Sequence, residues 1–124
     1  MNNLLRNKRT LYVCKRVMID NRFFFDKPLK IRANYQPISD KSAGEIIAVG
    51  ENYINRLILY MTPKVAKNFH NFDRCYVFVD PPKEHDRVCS KADFYVDGTP
   101  SQYINESTVH LQRMTGDKQW QTTE

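Results

Sequence analysis

The chain has 124 residues, with 19 Lys and Arg against 14 Asp and Glu, a net charge of +5, 41% hydrophobic residues and 12% aromatic ones. That length suits one domain, which at this size buries roughly two-thirds of the surface its unfolded form exposes. No run approaches the roughly 20 apolar residues of a membrane span, and MNNLLRNKRT lacks the apolar centre of a secretory signal. A soluble protein that stays where it is made, with no membrane partner, is the expectation.

The charge is unevenly placed: residues 1–70 carry 13 Lys and Arg against 5 Asp and Glu, and residues 71–124 carry 6 against 9. Halves of +8 and −3 can steer a domain toward nucleic acid or let identical subunits meet head to tail. Cys14, Cys75 and Cys89 are odd in number, widely spaced and without a CxxC pair, which points to reduced thiols rather than a disulfide framework or a zinc ribbon. Cys14 and Cys75 lie in apolar runs, where Cys behaves as a small buried hydrophobe.

Residues 1–9 read as a polar, basic, flexible arm. The run TLYVCKRVMI, residues 10–19, is rich in β-branched and aromatic residues and predicts a first strand, closed by the turn pair Asp20-Asn21. RFFFD follows, and because neighbours in a strand point to opposite faces, either Phe24 or the pair Phe23 and Phe25 must leave the main core and find other cover. In PLKIRANY, Leu29, Ile31 and Ala33 alternate with Lys30, Arg32 and Asn34, the pattern of a half-buried strand with one basic face.

QPISDKSAG reads as loop. GEIIAVGENYINRLILYM offers two apolar runs parted by Gly50-Glu51-Asn52, which favours a hairpin or a long loop with extended flanks; a single helix is the alternative, weakened by Gly50 and the Asn residues. Thr62-Pro63 suits a helix start, since Thr can cap free N–H groups and Pro fits the first turn, so a short helix is expected from Pro63 to about His70. CYVFV, residues 75–79, predicts a strand ended by Pro81-Pro82. Ala92 to Val96 and Ser107 to Met114 supply the last two, and residues 115–124 form a polar tail apart from Trp120.

About six or seven short strands, one short helix and no βαβ rhythm result. The expected class is mainly β: a single small antiparallel β-barrel or sandwich over residues 10–114, with long loops and one short α-helix, because closing a sheet removes edges that would aggregate.

Catalytic chemistry finds little support. His85-Asp86 is the pairing seen in metal-dependent hydrolases, but only His70 and His110 remain as further histidines, on a helix end and on another strand. Cys89 as a nucleophile would need a base that cannot be placed. The four glycines are scattered, and no phosphate-binding glycine motif occurs. No catalytic residue, metal or cofactor is therefore expected. Nucleic-acid binding is the stronger physical alternative, because Lys27, Lys30 and Arg32 lie near Phe23, Phe24, Phe25 and Tyr35, the mixture of cations and rings that single-strand binders use; the competing reading is a barrel surface with snorkelling side chains.

Three phrases carry a family resemblance: the Tyr-containing first strand followed by FFFDKPLKIRANYQP, then FDRCYVFVDPP, then KADFYVDGTPSQYINESTVHLQRM. Over residues 10–114 the chain resembles the head-closure, or head–tail connector (stopper), proteins of tailed bacteriophages. The resemblance implies a non-enzymatic virion protein, made in the host cytoplasm and placed in the neck. It implies a small barrel assembled with copies of itself in a twelvefold ring beneath the portal and adaptor, retaining packaged DNA in the channel and meeting tail proteins. A tail terminator or another neck component is the related alternative, and a small basic nucleic-acid-binding barrel the unrelated one. The matching inward loop is Gln36 to Asn55. Phe23, Phe24, Phe25, Tyr35 and Trp120 are the candidate interface residues, and Lys27, Lys30, Arg32, Lys41 and Arg56 the candidate channel or DNA-facing residues.

Overall fold

Period-2 alternation builds the wall of the molecule. In a computed structural model that describes residues 7–38, 55–102 and 104–114, the elements are β1 (Asn7–Cys14), β2 (Arg16–Ile19), β3 (Arg22–Phe25), β4 (Leu29–Ile38), β5 (Arg56–Met61), α1 (Pro63–Ala66), β6 (Arg74–Tyr76), β7 (Phe94–Val96) and β8 (Ser107–Arg113). β4 buries Ile31 and Ala33 and exposes Lys30 and Arg32; β5 buries Leu57, Leu59 and Met61; β8 buries Val109 and Leu111 and exposes His110. Six strands close an antiparallel barrel in the order β1-β4-β5-β8-β7-β6, with β6 pairing back onto β1 through Tyr12–Tyr76, Val13–Cys75 and Cys14–Arg74. The mainly β class, the barrel and, among the described residues, a short helix are as the sequence predicts.

Inside, Leu11, Leu57, Leu59, Phe94 and Leu111 form one core that Ala66 and Phe69 also join. Each fully buried Leu contributes about 1.5–3 kcal/mol. A second core lies on the outside of the wall. Cys75, Phe94 and Val96 face in, so their neighbours Tyr76 and Tyr95 point out, where they pack with Cys14, Phe25, Cys89 and Met114. The cover for this outer core comes from the β2–β3 hairpin and from the segment between β6 and β7.

The hairpin forms because Asp20 and Asn21 adopt left-handed backbone, φ 52° and 65°, as the two central residues of a tight turn require and these short polar side chains tolerate. The run expected as one strand from Thr10 to Ile19 is two, broken at Lys15. There the Arg16 N–H leaves the ladder and donates to Asp73 Oδ1 at 2.9 Å, carrying β2 and β3 off the barrel as a separate two-stranded sheet.

A second carboxylate shortens the next strand. CYVFV was expected to run to the prolines, yet β6 stops at Tyr76, because the N–H groups of Val77 and Phe78 both donate to Asp93, at 2.8 Å each. Asp73 and Asp93 are both buried, and each immediately precedes a strand. Burial pushes both carboxyls above the ordinary aspartate value, against the hydrogen bonds they accept.

Three further expectations are corrected. Asn7, Lys8 and Arg9 belong to β1 rather than to a loose arm. The helix has a single turn, capped by Thr62 Oγ1 accepting from Val65 N–H at 3.4 Å, and Phe69 beyond it is held by core packing. Gln36, Pro37 and Ile38 are strand, whereas 39–54, the rest of the expected loop, lie outside the described residues, as do 1–6 and 115–124.

Replacing Asp93 with Asn tests the clamp, since an amide can present only one oxygen to two buried donors and leaves one N–H facing another N–H. Urea unfolding of D93N should show a loss of roughly 2–3 kcal/mol with an unchanged denaturant slope, the scale of an unsatisfied buried donor.

Candidate functional site

The three successive phenylalanines separate by depth. Phe25, at the hairpin base, is 3% exposed in the outer core; its N–H donates to Arg87 O at 2.7 Å and its carbonyl accepts from His85 Nε2 at 2.7 Å. Phe24 is half-buried on the other hairpin face, and Phe23 is exposed. An arginine covers each ring: Arg16 lies 4.2 Å from the Phe23 centroid, Arg87 4.3 Å from Phe24 and Arg74 4.9 Å from Phe25. Such contacts give about 0.5–1 kcal/mol when exposed and about 2 when desolvated. As an interface candidate Phe25 is therefore corrected: it anchors the hairpin, and Phe23 carries the exposed aromatic surface.

Arg16 also reaches Phe72, 5.1 Å from its centroid. Phe72 has φ 71°, a genuine outlier for a bulky residue and a strain of order 1–3 kcal/mol. Its N–H donates to Val96 O at 2.8 Å and its carbonyl accepts from Arg74 Nη1 at 2.9 Å, so the backbone is locked. The ring stacks on Tyr95 at 6.2 Å and 27°. Met18 pairs with Phe23 across the hairpin on the face of Arg16, and Met18, Phe23 and Phe72, at 59%, 40% and 42% exposure, make an apolar surface beside one guanidinium, while Ile19, paired with Arg22, points to the opposite hairpin face.

Tyr35, the other described interface candidate, is corrected as well. It is half-buried and faces inward, and its ring meets Phe78 edge-on at 5.8 Å and 77°, packed against the main core. Trp120 lies outside the described residues.

The candidate DNA-facing residues divide. Lys30, Arg32 and Arg56 project from the outer wall of β4 and β5, where all three are exposed. Lys8 joins them from β1, paired with Asn34. His110 joins from β8, paired with Ile58. Lys27 does not share this wall; it borders a depression of about 420 Å³ with Lys15, Asp26 and Lys67. Lys41 lies outside the described residues. Lys8 was missed because it was read as arm. Continuing the alternation of Thr10 and Tyr12 back by two residues places it on the outer face.

His85 and Asp86 serve the loop. Asp86 accepts from Val88 N–H at 3.1 Å, Ser90 N–H at 3.0 Å and Ser90 Oγ at 2.6 Å. Burial works against its charge, but the bonds from Ser90 and Val88, with His85 nearby, outweigh it and hold the carboxyl below the ordinary value. His70 pairs instead with Asp73, Nδ1 to Oδ2 at 3.3 Å. Among the described residues no group of three or more His, Cys, Asp or Glu is placed to hold a metal ion.

All three cysteines are free and buried. The interaction between the Cys14 and Cys89 side chains lowers the Cys89 thiol against the upward effect of burial and pushes Cys14 far up. Cys89 is fully enclosed, out of reach of an external substrate. A groove of about 520 Å³ beside α1, lined by Ala66, Phe69, His70, Pro100, Ile104 and Ser107, brings one histidine together with apolar walls.

No family model matches the chain, and neither the curated proteins nor the solved structures compared with it give a match.

The Asp86 clamp gives a pH signature. Its folded-state value is depressed, so its contribution is complete above the ordinary value of 3.8 and disappears as pH falls toward the folded value. Amide exchange of Val88 and Ser90 should keep its protection from neutrality down to that point and lose it below, while D86A should be poorly protected throughout.

Proposed function

We propose that the chain is a structural, non-catalytic protein of a tailed-phage neck, of the head-closure or stopper type. It assembles with copies of itself into a twelvefold ring beneath the portal and adaptor, retains packaged DNA and meets the tail. The observation that carries this reading is the surface of Met18, Phe23 and Phe72 beside Arg16. Contiguous exposed apolar patches on a small chain mark contact with another protein, and strained backbone persists where a site requires it.

The resemblance supports the same reading. FFFDKPLKIRANYQP spans the hairpin base and most of β4, and FDRCYVFVDPP spans Phe72, the Asp73 clamp and β6. Aromatic residues at a packed subunit boundary can supply a few kcal/mol of association. In the ring, this patch meets the neighbouring subunit.

Two substitutions separate assembly from folding. F23D should leave the circular dichroism spectrum unchanged and weaken ring formation tenfold or more, measured by light scattering on mixing with portal and adaptor. F72G should relieve the left-handed strain, keeping or raising the unfolding midpoint, and should weaken assembly by a similar factor. Undiminished assembly by both variants, or absence of the protein from purified particles, would overturn the reading.

A further inference from the structure

The outer wall formed by β1, β4, β5 and β8 contains no acidic residue: none of these four strands holds an Asp or a Glu anywhere along its length. Adjacent pairings join them into one continuous sheet surface. Lys8, Lys30, Arg32 and Arg56 project from it, all exposed and without an ion pair to any described acid. The acids of the described residues fall elsewhere, in turns, in the loop between β6 and β7, and just before strands.

From this placement we infer that the β1–β4–β5–β8 face binds the phosphate backbone of duplex DNA without regard to sequence. The inference deepens the neck reading, on which its biological setting rests, by naming the surface that meets packaged DNA.

Three observations select this ligand. The cations form two groups: Lys30 and Arg32 with Lys8 across the β1–β4 pairing, and Arg56 opposite Ile38, six positions beyond Arg32 in β4. At 3.3–3.4 Å per residue, the groups stand about 20 Å apart, a length over which a duplex presents about twelve phosphates. Between them lie Asn34, Gln36 and Thr108, the neutral polar side chains that also contact phosphate and sugar.

Base stacking is disfavoured on this face. Tyr60 is half-buried and its hydroxyl donates to Gln36 Oε1 at 3.0 Å, and Tyr12 packs against the outer core, so among the described residues no open ring on this face offers the platform that single strands use. A lipid surface is disfavoured too, because among the described residues the face shows no band of exposed apolar side chains of the kind that enters a bilayer interface.

The test measures binding of the unassembled chain to a random-sequence duplex by fluorescence anisotropy across a salt series. Each lost phosphate contact makes the negative slope of log K against log salt shallower by about 0.9, so K30Q/R32Q should reduce its magnitude by about 2 and R56Q by about 1. K83Q/K91Q, which removes the same charge from the loop between β6 and β7, should leave it unchanged. Equal losses from both double variants would overturn the inference by reducing it to net charge. So would tighter binding to anionic vesicles or to an acidic polypeptide than to the duplex, or no binding by the unaltered chain. Because F23D leaves this face intact, it should bind DNA normally, and failure of either proposal is distinguishable from failure of the other.

Discussion

Two buried carboxylates decide where the barrel wall ends and the rest of the chain departs from it. Asp73 takes the Arg16 amide at the exit of β1, and Asp93 takes the Val77 and Phe78 amides at the exit of β6. Each hydrogen bond satisfies a donor that would otherwise continue the ladder, and leaving such a donor unpaired in the interior costs about 1–3 kcal/mol. The chain therefore turns outward at both points. One turn releases the hairpin, the other releases the loop of residues 77–93, and the two meet again over Tyr76 and Tyr95.

That meeting divides the outside of a six-stranded barrel into unlike halves. Over β6 and β7, the three-residue strands through which the barrel closes, hairpin and loop bury a second apolar core that reinforces the shortest ladder. Over β4, β5, β8 and the first half of β1 the described residues add no such cover, and the wall shows Lys, Arg, Asn, Gln and Thr, whereas Tyr12 and Cys14 at the other end of β1 join the outer core. One side exposes rings and arginines. The other exposes cations and neutral polar side chains.

Arginine links the halves of the covered side. Arg16, Arg74 and Arg87 each lie on a phenylalanine of the hairpin, and Arg74 also approaches Tyr95 at 5.9 Å. Burial lowers the Arg74 value, yet aromatic faces and the Phe72 carbonyl stabilise the cation, so the charge can lie within an apolar layer. The same residue thus fixes both the hairpin base and the strained turn that presents Phe72, and the two parts of the exposed patch are positioned by one side chain.

Much of the barrel was legible in the chain because a half-buried strand must alternate. PLKIRANY and STVHLQRM each name their inner face, and Asp20-Asn21 names its turn, since these are consequences of backbone geometry within a few residues, whereas in the apolar run RLILYM only the fold separates Leu57, Leu59 and Met61 from Ile58 and Tyr60. The basic character of the wall was visible one strand at a time. Which strands stand side by side was not, because neighbours such as β1 and β4, or β5 and β8, are joined by hydrogen bonds between segments far apart in sequence. The same holds for the strand exits: Val77 and Phe78 look like strand residues until Asp93, fifteen and more positions later, removes their donors from the sheet. Local pattern determined what each strand is; long-range carboxylate-to-amide bonds, invisible to that pattern, decided where each one stops and what surface the fold presents.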